Sequence, residues 1–207
     1  MNLPLIHHPR TVGLTVSAIL LLAASMASAQ TKPLDATDTW SHGTTLEIFG
    51  GVATASPNTT GTFGGAAGWE LNHLAEIEGI AAWLSERSGA QAFAADLKLL
   101  VNLRRPALLV PYVGGGAGMY VGSFDTRRTT MPSFYQRRNA ELSAASRESF
   151  TDPTVVIAGG ANVYVARHFS IRPELAARFV TKDSHTYRVT TVTFALAYHV
   201  EEHAVGK

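Results

Sequence analysis

The chain has 207 residues, with 17 Lys and Arg against 16 Asp and Glu, and no cysteine. That length suffices for one domain with its own core. The missing cysteine excludes disulfides, a thiolate nucleophile, thiolate metal sites and a lipidated N-terminal Cys, and the near-zero charge offers nothing to recruit nucleic acid.

Residues 1–29 read as a cleaved signal peptide. Arg10 precedes the apolar run Val12 to Ala24, and Ala27-Ser28-Ala29 supplies the small-x-small cleavage site. Cleavage after Ala29 removes one of the 17 basic residues and leaves 16 against 16, a net charge of zero. A membrane-anchoring helix is the competing reading, but the run is short for a span. No later run is long and apolar enough to cross a bilayer as a helix, so membrane residence requires a barrel. Residues 30–43 are polar and read as a periplasmic lead-in.

Residues 44–200 then alternate with a period of two, the signature of strands with one apolar and one polar face. Eight strands are expected. Thr44 to Ala53 sets Leu46, Ile48 and Val52 opposite Glu47. Gly61 to Leu71 sets Phe63, Ala67, Trp69 and Leu71 opposite Thr62 and Glu70. Leu74 to Leu84 sets Ile77, Ala81 and Trp83 opposite Glu76 and Glu78. Ala92 to Leu103 sets Phe93, Leu97, Leu99 and Val101 opposite Asp96, Lys98 and Asn102. Ala107 to Gly122 is apolar on both faces and rich in glycine, which leaves its orientation open. Thr154 to Ala166 sets Val155, Ile157, Val163 and Val165 opposite Asn162 and Tyr164. Ser170 to Val180 sets Ile171, Leu175 and Phe179 opposite Arg172, Glu174 and Arg178. Val189 to Val200 sets Val192, Phe194, Leu196, Tyr198 and Val200 opposite Thr191, Thr193 and His199.

The competing assignment for Leu74 to Leu103 is a pair of helices, since Ala, Leu and Glu favour them. A helix would scatter Glu76 from Glu78 and Asp96 from Lys98, whereas a strand keeps each pair on one face. The links 54–60, 85–91, 123–153 and 181–188 read as longer than the links between them. That alternation suits an up-and-down membrane barrel, which has short periplasmic turns and long outer loops. Together these patterns predict an all-β protein, an eight-stranded antiparallel transmembrane barrel over 44–200 with a tail at 201–207.

With the apolar faces outward, Glu47, Glu70, Glu76, Glu78, Asp96, Lys98, Arg172, Glu174, Arg178 and His199 point into the lumen. Eight strands enclose a space that side chains fill, and buried charges must pair or be hydrated. The expectation is a lumen plugged by ion pairs; the alternative is a small-solute pore through the same residues. A soluble carrier of lipocalin type is a third reading, but it needs an apolar interior.

Three stretches resemble the small eight-stranded outer-membrane barrels of the OmpA-like, porin-family type from Gram-negative bacteria. They are Pro111-Tyr112-Val113-Gly114-Gly115-Gly116-Ala117-Gly118, Phe169-Ser170-Ile171-Arg172-Pro173-Glu174 and the final strand. In that family the last strand carries an assembly signal of alternating outward apolar residues with Tyr third from the end. Phe194, Leu196 and Tyr198 fit it, and Val200 stands where the family has an aromatic. The resemblance implies an integral, non-catalytic outer-membrane protein, expected to be a monomer. Its implied partners are membrane lipid, lipopolysaccharide and the assembly machinery.

The link 123–153 interleaves aromatics with Arg127, Arg128, Arg137 and Arg138, which suits contact with lipopolysaccharide phosphates; the alternative is a solvated loop. His168-Phe169-Ser170 is similar to the His-x-Ser pair of outer-membrane lipid A deacylases, a nucleophile beside a base. Ile171 replaces the Asn that follows in those enzymes, so no catalysis is expected. No metal or cofactor site is expected either: the histidines are scattered, and Gly114 to Gly118 lacks the Lys and helix of a phosphate loop.

Overall fold

A computed structural model describes residues 43–55, 58–72, 74–87, 89–103, 108–125, 147–166, 168–182 and 185–200. The signal peptide, the lead-in up to residue 42, the four loop arginines and the 201–207 tail lie outside the described residues. The described chain is eight strands: β1 (Thr44–Ala55), β2 (Asn58–Asn72), β3 (Ala75–Arg87), β4 (Ala90–Asn102), β5 (Leu109–Asp125), β6 (Arg147–Ala166), β7 (Phe169–Lys182) and β8 (His185–Val200). Each pairs antiparallel with its sequence neighbour, and β8 returns to β1 to close a barrel without edges. No described helix is long and apolar enough to cross a membrane.

The segment for which helices compete is strand throughout, as β3 and β4. Glu76 and Glu78 of β3, and Asp96 and Lys98 of β4, all face inward and are buried. The two-residue spacing of the charges outweighs helix propensity here because the face pattern is satisfied in tertiary structure.

The register fixes the geometry of the barrel. Stepping from Thr44 through its partners Trp69, Ile77, Leu99, Gly115, Ile157, Ala177 and Thr190 returns to β1 at Thr54, ten residues further along. For eight strands, that stagger with ordinary strand spacings sets a tilt of about 41° and a backbone radius of about 8 Å. An Arg side chain therefore reaches close to the barrel axis, and charges on opposite walls can meet.

The link lengths differ from the sequence expectation. β1 runs on to Ala55 and β2 begins at Asn58, so 54–60 is a tight hairpin rather than a loop. The β3–β4 and β7–β8 links are likewise two residues, 88–89 and 183–184, the β4–β5 link, read as short, is six, 103–108, and the β5–β6 link, 126–146, is the longest between the described strands. The Thr, Ser and Asn residues that read as loop signals extend the ladder instead. Thr54 and Thr59 sit across the hairpin with their hydroxyls 3.2 Å apart, and Thr60 donates to the carbonyl of Ser85 at 2.6 Å. At this tilt a strand climbs about 2.5 Å per residue along the barrel axis, so an apolar band about 25 Å tall needs only about ten residues. Strands of 12 to 20 residues therefore project beyond such a band.

The outer wall is apolar. Leu46, Ile48, Leu97, Leu99, Val155, Ile157, Leu175, Phe194 and Leu196 are all exposed, as the alternation predicts. Aromatics lie toward both ends of this band. Trp69, Phe169 and Tyr198 are near the end holding Thr44 and Val200, hereafter the terminal end, and Trp83 and Phe93 pair in register toward the other. Phe169 and Tyr198 stack with ring centroids 5.1 Å apart, and Trp83 and Phe93 lie 6.5 Å apart.

Candidate functional site

The lumen is the only place where the described residues gather chemistry, and it is layered along the barrel axis. The charged layer sits in its terminal half. β7 carries Arg172 inward, 2% exposed. Its Nη1 lies 2.7 Å from Glu78 Oε2 on β3 and also bonds Glu47 Oε1 on β1. Its Nε donates to the Tyr112 hydroxyl at 2.8 Å, and the guanidinium carbon stands 4.4 Å from the Tyr112 ring centroid. Tyr112 in turn donates to Glu174 Oε2 at 2.9 Å. Lys98 Nζ closes the ring, 2.8 Å from Glu78 Oε1 and 2.9 Å from both oxygens of Glu174. Five strands thus converge on one network, which an Arg fork and a Lys point charge suit in different ways.

One step toward the loop end, Arg178 donates through Nε to Asp96 Oδ2 at 3.0 Å and bonds the same oxygen through Nη2. Thr154 donates to the other Asp96 oxygen at 3.0 Å. The space between these two layers, bordered by Phe49, Thr62, Asp96, Lys98, Arg178 and Thr191, is a cavity of about 20 Å³. That volume holds a single water.

Beyond Asp96 and Arg178 the lumen turns mostly apolar, although Asp152 of β6, in register with Tyr120, is buried there too. Ala53, Leu84, Ala92, Tyr120, Phe124, Phe150, Val180, Tyr187 and Val189 face inward and form one buried cluster. Phe150 lies 6.2 Å from Tyr120 and 6.3 Å from Phe124, centroid to centroid. Sequence reasoning assigned charges to the lumen and missed this layer. It also missed Tyr112, because β5 is apolar on both faces; its even positions Val110, Tyr112, Tyr120 and Phe124 are the buried ones.

The terminal end is polar. His199 Nε2 lies 3.0 Å from Ser170 Oγ, and its Nδ1 lies 3.3 Å from Thr45 Oγ1 and 4.0 Å from Glu70 Oε1. The serine's partner is therefore His199 on β8, not His168. His168 sits in the turn before β7, and its Nδ1 donates to the backbone carbonyl of His199 at 3.2 Å. Ser170 is fully buried in the lumen, away from the apolar wall where an acyl substrate would lie. A nucleophile needs both a base and an approach path, and only the base is present. Ser170→Ala is expected to leave lipid A deacylation at the level of a protein-free control, as the wild type itself does; activity in the wild type that Ser170→Ala removes would restore the enzyme reading.

All nine charged residues assigned to the lumen face it. Six are acidic (Glu47, Glu70, Glu76, Glu78, Asp96, Glu174) and three basic (Lys98, Arg172, Arg178). One carboxylate oxygen from each of Glu47, Glu76 and Glu78 lies within 4.8 Å of the others. Two glycines make room for this packing. A Cβ on Gly68 would strike the Glu76 carboxylate that lies over it, and one on Gly160 would lie 2.5 Å from the Tyr112 hydroxyl.

The sequence matches no protein-family model and no curated protein. Solved structures do match. The N-terminal β-barrel domain of Pseudomonas aeruginosa OprF is 14% identical, with a TM-score of 0.53 over 76% of this chain and 98% of that one. Neisserial surface protein A is 11% identical, with a TM-score of 0.53 over 75% of this chain and 95% of that one. With the closed eight-strand register, the inward charges and the apolar outer wall, these likenesses show that the chain has the fold of the small eight-stranded outer-membrane β-barrels.

Proposed function

We propose that this protein is an integral outer-membrane β-barrel, exported through its signal peptide, with a structural or surface-contact role and a closed lumen. One observation carries the membrane reading: large apolar side chains cover the outside while Arg172, Lys98 and Glu78 are buried inside. A water-soluble barrel reverses that arrangement, and a contiguous apolar wall of this extent in water is an association or membrane surface. The terminal end then faces the periplasm and the β5–β6 link faces outward, carrying Arg127, Arg128, Arg137 and Arg138 toward lipopolysaccharide phosphates. The assembly machinery is the partner for Phe194, Leu196, Tyr198 and Val200.

Two features support closure. The ion-pair layer spans the lumen from β7 to β1 and β3, and the layer above it is packed by Tyr120, Phe124, Phe150 and Tyr187. In planar bilayers the wild-type barrel is expected to give no steady conductance. Replacing Phe124 and Phe150 by Ala removes two aromatics from the outer layer and is expected to raise leak without creating a stable open state, since the charged layer remains. Sustained openings of the wild type would overturn closure in favour of the small-solute pore.

The lumen also argues against a lipocalin-like carrier. Its only apolar section is packed by its own side chains, and the cavity bordered by Tyr120 and Tyr187 is about 40 Å³, far below the few hundred Å³ of a ligand pocket.

A further inference from the structure

The surplus of negative charge in the lumen is concentrated on one group of residues. Asp96 is matched by Arg178, and Glu174 by Lys98. Glu47 and Glu78 share Arg172, Glu78 also meets Lys98, Glu70 lies 4.0 Å from His199, and Glu76 makes no ion pair within 4.0 Å among the described residues. Glu76 gains least. It is 4% exposed, lies over Gly68, and its Oε1 has no hydrogen-bond partner among the described residues. An orphaned buried carboxylate oxygen costs free energy until something fills its lone pairs.

The spacing indicates what fills them. Oxygens of Glu47, Glu76 and Glu78 lie within 4.8 Å of one another. Calcium takes oxygen ligands at about 2.3–2.6 Å in flexible geometry, whereas magnesium demands a near-ideal octahedron at about 2.0–2.1 Å. Three carboxylates fixed on two strands and within reach of one another suit the ion with the less exacting geometry, calcium. Arg172 need not leave, because it hydrogen-bonds one oxygen of Glu47, Glu78 Oε2 beside it has no hydrogen-bond partner among the described residues, and each carboxylate oxygen has two lone pairs. Waters complete the shell, as they do in other calcium sites. The ion enters from the terminal end past Glu70 and His199, whose side chains are 12% and 13% exposed.

We infer that Glu47, Glu76 and Glu78 form a calcium site in the terminal half of the lumen. This stands apart from the proposed surface role, since it concerns the lumen alone and is tested in detergent.

The test uses the full barrel in lipopolysaccharide-free detergent micelles, stripped with EDTA. Equilibrium dialysis with radioactive calcium is expected to find one ion per chain. Calcium at a concentration well above its dissociation constant is expected to raise the thermal midpoint by about 5 °C over sodium chloride of equal ionic strength. Glu76→Gln keeps the shape and removes the unpaired charge. It is expected to bind calcium at least tenfold more weakly and to lose the shift, with a metal-free midpoint equal to or above that of wild type. Glu70→Gln, outside the triad, is expected to keep both binding and shift. A wild type that binds no calcium overturns the site, as it would if a shared proton satisfies Glu76. Binding by Glu76→Gln at wild-type affinity, or equal loss in Glu70→Gln, also overturns it. Should Glu76→Gln fail to fold, the wild-type stoichiometry still decides.

Discussion

Replacing Ile48 by Arg lowers the stability of the inserted barrel by about 2–4 kcal/mol, the cost of a guanidinium on the lipid face near the bilayer midplane. Ile48 is 69% exposed, stands mid-strand in β1, and pairs with Gly65 and Leu196 on the apolar outer wall. The same substitution on a soluble barrel would fall within about 0.5 kcal/mol of neutral, because an exposed site tolerates charge in water. Urea unfolding of the barrel in lipid vesicles, with Ile48→Val as reference, separates the two. A neutral Ile48→Arg would remove the membrane reading altogether.

The second large effect lies inside the lumen, where Arg172 of β7 bonds Glu47, the residue before Ile48. Arg172→Met is expected to cost about 3–5 kcal/mol, since it leaves Glu47 and Glu78 buried without their shared partner. Its Nη1 serves both acids and its Nε serves Tyr112, so the loss reaches three strands at once. The triple variant Arg172→Met, Glu47→Gln, Glu78→Gln is expected to regain most of that loss, because buried charges are removed together rather than stranded. Denaturation midpoints of the single and triple variants check this; a single-variant loss under about 1 kcal/mol would show that water already shields the network.

The barrel was legible where the two faces of a strand differ. Glu47 beside Ile48, or Lys98 between Leu97 and Leu99, leaves one orientation open to a sheet with one wet and one apolar side. Leu74 to Leu103 was readable as strands for the same reason, despite its helix formers. Legibility ended where both faces are apolar. Ala92-Phe93-Ala94 and Tyr120-Val121 carry no contrast, so neither the apolar lumen layer nor the inward aim of Tyr112 was visible. Pairings distant in sequence were hidden too. Ser170 and His168 are two residues apart yet do not pair, while Ser170 and His199 are 29 apart and do. Link lengths failed because Thr, Ser and Asn near a hairpin suit a solvated ladder as well as a loop.

The layered lumen has a consequence for how such a chain enters a bilayer. A barrel inserting from the periplasm must push the hairpin tips of β1–β2, β3–β4 and β7–β8 across first. Their leading halves carry Ala53, Leu84, Ala92, Val180, Tyr187 and Val189 on the inner face, so no charged luminal residue leads. Glu47, Glu76, Glu78, Lys98 and Arg172 ride in the trailing halves and travel only partway, meeting their partners as the walls close around them. The β3–β4 tip carries Glu86 and Arg87, the β7–β8 tip Lys182 and Asp183, and the β5–β6 link four arginines, Arg127, Arg128, Arg137 and Arg138. The β5–β6 link therefore takes the largest basic load across, and the order of the layers spares the other three hairpins the added load of the luminal charges.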